Sequence, residues 1–390
     1  MARSADVVVV GGGVVGCACA AALADRGVGV LLVERARLAA GASGRNHGLV
    51  LSPSEPALVP MARETLDVYR RTSREAEVPF TIDPEPIGYL VVARDDREAE
   101  QARGEAGAAE ACGIAVRDVD GPALRALEPA LAEELTGGWL LEDGLRLDPA
   151  ALTVALAVRA RRSGAEVRPH LAAQALDVRD GVVHGVVTDE GRIAAGTVVV
   201  AAGPWSPGLL RPAGVRLPVV GARGWLVHLA PRRPVLSRIV ERAGWHLLPG
   251  EDAVEPLLAR DVAEGTPKPE VGTLLHPGTD GTVLAGGSRQ LPTVHEPEDH
   301  EVPREIARRA IELVPALASA EVLGAWWGIR PMSPDGRPLI GPVAEGVSVA
   351  TGHGSQGVIL AGGTAALVAA QVTGEPPPFD PEPFRPDRFG

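Results

Sequence analysis

The first 34 residues constrain this chain more tightly than any other stretch. Asp6-Val-Val-Val-Val10 is a short strand-forming run that stops at Gly11-Gly12-Gly13-Val14-Val15-Gly16, and an Ala-rich segment from Cys17 to Leu23 follows. Glycines spaced G-x-G-x-x-G between a strand and a helix predict a tight turn whose backbone can approach phosphates. Gly11 makes the turn, Gly13 admits a pyrophosphate, and Gly16 lets helix and strand pack closely. A second apolar run, Val28–Val33, ends at Glu34, whose carboxylate suits ribose hydroxyls and would repel a ribose phosphate. The free amides and positive dipole end of the helix favour two phosphates. Strand, helix, second strand and acid stand in register, so the unit predicts binding of a dinucleotide with an ADP moiety. The alternative is a glycine-rich βα turn with no ligand.

The chain has 390 residues, room for two or three domains. Its 45% hydrophobic and 23% charged fractions support an ordinary core. A formal charge of −12 argues against a general nucleic-acid surface and offers no polybasic membrane patch. With five residues ahead of Asp6 no signal peptide is expected. The late apolar run Val358–Val372 contains glycines and a glutamine and is too short for a membrane span, so a cytoplasmic protein is expected. Cys17 and Cys19 point to different faces of one helix and read as packing residues; Cys112 stands alone in an Ala/Glu-rich helix. No metal-ligand spacing occurs.

After Glu34, the segment Gly41-Ala-Ser-Gly-Arg-Asn-His-Gly48 concentrates polar donors just beyond the ribose-binding strand, so a ligand-facing loop is expected rather than a plain solvent loop. Helices are predicted over Glu55–Ala76, Asp95–Cys112, Leu147–Arg162, Pro303–Leu317 and Val358–Val372. Val198–Ser206 reads as a buried strand stopping at a glycine, with Ala202, Gly203 and Trp205 near the cofactor. Short β runs between Val219 and Val294, separated by Pro, Gly and Asp, predict an antiparallel sheet. The expected architecture is an α/β cofactor domain written in three pieces, interrupted twice by an antiparallel sheet that forms a second domain. The first comprises 1–80, 145–218 and 322–390; the second, 81–144 and 219–321.

Four separated stretches together resemble the D-amino-acid oxidase superfamily of FAD-dependent oxidoreductases, which includes glycine and sarcosine oxidases. They are Gly11–Gly16 with Glu34, Ser43–Gly48, Val198–Ser206, and the pair Gly328-Ile-Arg-Pro331 with Gly352-His-Gly-Ser-Gln-Gly357. The resemblance implies FAD as cofactor and makes the α/β part a Rossmann-like FAD-binding domain of the glutathione-reductase type, with an inserted antiparallel-sheet substrate domain. Gly11, Gly13, Val14, Val15 and Gly16 would hold its pyrophosphate, Glu34 its ribose, and Arg35 would lie beside the adenine. Ser43, Gly44, Arg45, Asn46 and His47 would run toward the flavin, with Ala173 at the adenine. Gly352, Gly354, Ser355, Gln356 and Gly357 would open the last helix beneath the flavin pyrimidine, where helix-end amides stabilise reduced flavin. His353 would serve the flavin edge.

By the same resemblance Arg330 would pair with a substrate carboxylate, a planar anion its guanidinium fork suits. The alternative is a structural arginine at a strand end. Trp327 would also line the substrate site. Related enzymes often place a tyrosine from the sheet over the substrate, yet the only tyrosines are Tyr69 and Tyr89, so Trp245 or His246 is expected to fill that volume. His47 stands where a small residue is common and is a candidate for contact with flavin or substrate. The implied reaction is oxidation of the Cα–N bond of a small amino acid or secondary amine by hydride transfer to flavin N5, with hydrolysis of the imine. Oxygen or another acceptor would take the electrons. Oxidation of a 2-hydroxy acid or polyol phosphate is an alternative that needs a base, which His47, His246 or His353 could supply; a non-catalytic FAD module is another.

Overall fold

The fold is built on two eight-stranded sheets in the computed structural model, which describes residues 3–75, 77–244, 269–291 and 300–389. In the first sheet, Glu166–Pro169, Val30–Glu34, Arg3–Val10, Gly191–Val200 and Val347–Thr351 lie side by side and parallel; Leu339–Ala344 closes the edge antiparallel. A hairpin, Ala173–Arg179 with Val182–Thr188, attaches through Gly191–Val200. The near-continuous valine runs are explained by burial on both faces, as expected of parallel strands: Val7 to Val10 and Val30 to Val33 are all buried.

The helix Val14–Ala24 is apolar all round because helices enclose it, Pro149–Arg162 on one side and Gly357–Thr373 on another. Cys17 and Cys19 are buried free thiols there, as their spacing predicts, and burial pushes the Cys19 thiol up to about 12. Val59–Glu75 packs on the last helix at closest range. A Cβ on Gly362 would lie 2.6 Å from Thr65 Cα, and one on Gly363 2.5 Å from Met61 Cα. No described helix is long and apolar enough to cross a membrane, and the described residues contain no cluster of three or more metal-ligating side chains.

The second sheet runs Glu321–Met332, Val220–Ala230, Val283–Arg289, Glu270–Pro277, Ile239–Arg242, Tyr89–Ala93, Gly137–Leu141 and Val116–Asp120. It is antiparallel except where Ile239–Arg242 meets Tyr89–Ala93. Val302, Ile306 and Ala310 of the helix Glu301–Leu313 pack beneath it with Val92 and Val227, while Ala102 and Ala106 of Asp96–Ala111 pack with Tyr89 and Val91. Alternation puts those two sets on opposite faces. The sequence boundary at 322 falls within the strand Glu321–Met332, which pairs along its length with Val220–Ala230, so the antiparallel sheet extends to Met332. The helix expected over Pro303–Leu317 ends at Leu313, and Pro315 opens a separate 3₁₀ turn.

Candidate active site

The glycine turn has the expected strain. Gly11 has φ +118°, and a Cβ there would lie 2.4 Å from the Ala201 carbonyl oxygen. A Cβ on Gly16 would lie 2.0 Å from the Gly11 oxygen, so Gly16 serves helix–strand contact and does not itself line the cavity. Gly13 caps the helix with no side-chain hydrogen bond of its own, and the first turn carries no acid. Ser43 Oγ accepts from Val14 N at 2.9 Å, tying the 41–48 loop to that end. Glu34 accepts from Gly12 N at 2.7 Å and from Ala36 N at 2.8 Å. Both bonds fix its carboxylate at the cavity wall.

These groups border a cavity of about 800 Å³ between the two sheets. Beside Glu34, the Arg35 guanidinium stacks on the Trp205 ring at 3.9 Å, and Ala173, Ala202 and Gly203 complete that wall. The 41–48 loop is held by its own side chains. Asn46 Nδ2 donates to Ala42 O and Ser43 O, and its Oδ1 accepts from Gly48 N at 2.8 Å. Arg45 donates to Ala40 O and reaches the second sheet at Trp327 O, both at 3.0 Å. Gly44 does not line the cavity; a Cβ there would lie 2.4 Å from Ala39 O, so its smallness lets the loop close on itself.

The last helix brings a second acid-free N-terminus to the same cavity, with Gly354, Ser355, Gln356 and Gly357 on its wall. Its position is fixed from below: Tyr69 Oη donates to Val358 O at 2.5 Å, and Gly363 N donates to Thr65 Oγ1 at 3.0 Å. Gly352 has φ +76° and makes the turn without lining the cavity. His353 also borders the cavity. Thr364 Oγ1 donates to Leu360 O, so it must accept from His353 Nε2–H at 2.9 Å. The ring is buried, and burial lowers its pKa to about 3. His353 is therefore neutral and bonded to the last helix through Thr364.

The strand Glu321–Met332 adjoins that turn, Gly354 N donating to Pro331 O at 2.8 Å, and its Arg330 lies over the neighbouring strand. A Cβ on Gly224 would lie 2.1 Å from Arg330 Nη1, which donates to Ser288 O at 2.9 Å. Only glycine at 224 gives the guanidinium this path. His47 lines the cavity beside Gly286, edge-on to His276 at 6.2 Å. Burial first, then His276 and Arg330, hold its pKa well below the usual histidine value. It is thus a neutral imidazole. The register places Arg330 opposite Ala222 and Gly328 opposite Gly224, so Trp326 shares their face and Trp327 does not. Trp327 nevertheless borders the cavity; its ring packs with Trp225 and the Arg223 guanidinium, 4.9 Å away, and its carbonyl accepts from Arg45. Trp245 and His246 lie outside the described residues.

Sequence reasoning missed Gly224, Leu226, Leu274 and Tyr89 on the sheet side, and Leu49 and Leu51 on the loop side, all lining the cavity. Their signal is strand alternation, which is readable only once the pairing is known.

Two acid-free helix ends, a fixed carboxylate and a long cavity shaped by Gly11 and Gly13 fit a dinucleotide with a diphosphate at its centre, as FAD has. The comparisons with known proteins agree. Residues 6–371 match the DAO family model, described as FAD dependent oxidoreductase. The chain is 31% identical to a glycine oxidase of Pseudomonas aeruginosa, covering 98% of this chain and 99% of that one. It is 29% identical to a D-amino acid dehydrogenase of Rhizobium johnstonii, over 81% of this chain and 70% of that one. The crystal structure of glycine oxidase from Geobacillus kaustophilus superimposes with a TM-score of 0.85 at 25% identity, over 99% of both chains. Turn, cavity and full-length similarity converge: the chain belongs to the DAO family of FAD-dependent oxidoreductases.

Proposed function

We propose that this protein oxidises the Cα–N bond of an amino acid, or of a secondary amine that carries a carboxylate, to an imine that water then hydrolyses. The observation that carries the reading is Arg330. Its guanidinium is held at the cavity wall by the Ser288 carbonyl, over the missing side chain at Gly224. FAD supplies the two-electron acceptor when bound. Gly11, Gly13, Val14 and Val15 would hold its diphosphate, Glu34 its ribose, and Arg35 with Trp205 its adenine side. The loop Ser43–His47 and the turn Gly354–Gly357 would flank the flavin.

The rest of the chemistry falls to this chain's own side chains. Arg330 binds and orients the substrate carboxylate through charge-assisted bonds, which fixes the Cα–H direction. The acid-free end of the last helix favours negative charge developing in front of it. The buried, neutral His47 and His276 keep further positive charge away from a substrate amine that must be unprotonated to react. Reoxidation by oxygen or another acceptor completes the cycle. The free, buried thiols Cys17 and Cys19 fit a reducing compartment, so we place the reaction in the cytoplasm.

Oxidation of a hydroxy acid needs a base, and of the described candidates His353 is bonded to Thr364 and His47 is held at low basicity, while His246 lies outside the described residues. Arg330→Ala tests the reading: the substrate KM should rise steeply while FAD remains bound. An unchanged KM removes Arg330 from the site.

A further inference from the structure

We propose that Tyr89 is a specificity-determining residue whose ring, held by Glu241, ends the substrate cavity at a distance that selects amino acids with a large apolar side chain. The inference rests on the reading of Arg330 as the carboxylate clamp. Tyr89 opens the strand Tyr89–Ala93, is buried, and lines the same cavity as Arg330. In the parallel pairing, Ile239 stands opposite Tyr89 and Glu241 opposite Val91, so Tyr89 and Glu241 share a face as diagonal neighbours. The phenol donates to the Glu241 carboxylate, which is itself buried. A core position needs only an apolar ring. A buried carboxylate costs desolvation, and here it fixes the direction of one side chain through a charge-assisted bond.

The sheet supplies a ruler. The Arg330 guanidinium sits over Gly224, on the strand Val220–Ala230, and the phenol reaches to Glu241 on the strand Ile239–Arg242. Those strands are three steps apart in the sheet. Pairing puts Glu241 in line with Leu274, Gly286 and Leu226, two residues along from Gly224. At about 4.8 Å per step across and about 3.3 Å per residue along, the span is on the order of 16 Å. A carboxylate–guanidinium bond occupies about 3 Å, and contact with the ring about 4 Å, leaving roughly 9 Å for the substrate. Glycine, with bonds of about 1.5 Å, does not fill that length; a phenylalanine-sized side chain does. Leu226 and Leu274 from the sheet, with Leu49 and Leu51 opposite, make the intervening wall apolar.

The test reads binding without turnover. The FAD-loaded protein is titrated with acetate, isovalerate and 3-phenylpropionate, followed by the perturbation of the visible flavin band and by the shift in melting temperature. Apparent Kd should fall along the series, by about tenfold or more from first to last as buried apolar area grows. Tyr89→Ala should compress that ratio to about threefold or less, while Tyr89→Phe, which keeps the ring, retains most of it. If Tyr89→Ala does not fold, Leu274→Phe narrows the same end of the cavity and should compress the ratio likewise. Equal affinities across the series in the parent protein would overturn the proposal, as would an unaltered ratio in a Tyr89→Ala variant that still holds FAD. A graded acid series without bleaching by any amine would sink the functional reading and leave the Tyr89 wall standing. Bleaching by amino acids with a flat acid series would do the reverse.

Discussion

Gly224→Ala isolates the geometry on which the clamp depends. The new methyl would stand 2.1 Å from Arg330 Nη1 and 2.8 Å from Cζ. Ordinary contact needs about 3.5 Å, so the guanidinium must move by about 1 Å or more. Such a shift breaks the 2.9 Å bond to Ser288 O. Gly224 is an ordinary strand residue with no positive φ, so the backbone accepts alanine, and the obstacle is the end of a flexible side chain. The fold should therefore survive. A charge-assisted hydrogen bond contributes about 1.5–3 kcal/mol, so losing one of two to the substrate carboxylate should raise KM by about 10- to 150-fold. Steady-state kinetics should be run beside the FAD-to-protein ratio from absorbance. A variant with full FAD and unchanged KM would refute the clamp.

Glu34→Ala removes the acceptor for Gly12 N and Ala36 N as well as the proposed ribose contact. Equilibrium dialysis should show FAD affinity falling by about tenfold or more, from one lost hydrogen bond of about 1.5 kcal/mol upward. Gly363→Ala forces a Cβ to within 2.5 Å of Met61 Cα, a backbone atom that cannot yield cheaply, so the urea midpoint should drop by the equivalent of about 1–3 kcal/mol. Acid should weaken the fold in a defined window. Burial lowers His276 to about 4 and His353 to about 3, both below the ordinary value of 6.5. The unfolded chain therefore takes up protons first as pH falls. The stabilisation is complete above pH about 6.5 and is lost below it, by about 2 kcal/mol per histidine at pH 5. His276→Gln should lose less stability between pH 7.5 and 5 than the parent; an equal loss would show that the histidine is not the cause.

What was legible in the sequence was local. The Gly11–Gly16 turn, Glu34, the 41–48 loop and the start of the last helix each declare themselves within a few residues, because phosphate binding and tight turns leave short-range signatures. Arg330 was legible through the motif around it. The sheet side of the cavity was not, because a strand's faces are assigned only by its partners. Trp326 and Trp327 are adjacent and chemically alike, and the sequence does not show that the Trp327 ring packs with Trp225 and Arg223 at the cavity border. Tyr89 was discounted as lying too early in the chain, yet the strand order brings it to the cavity beside residues about 150 positions later. Val116–Asp120 went unread as a strand because it is an edge strand with three exposed positions and only two valines. His353 stands out among glycines and borders the cavity, whereas its bond to Thr364, eleven residues on, is seen only in the fold.

The central claim is amino-acid oxidation at the Arg330 clamp, and the most direct measurement is an anaerobic titration of the FAD-loaded protein with separate series of amino acids, N-methyl amino acids and 2-hydroxy acids. The account predicts that the visible flavin band bleaches with at least one carboxylate-bearing amine, and that Arg330→Ala needs far more of that amine for the same bleaching. Bleaching by a hydroxy acid alone, or by no member of the panel, would contradict it.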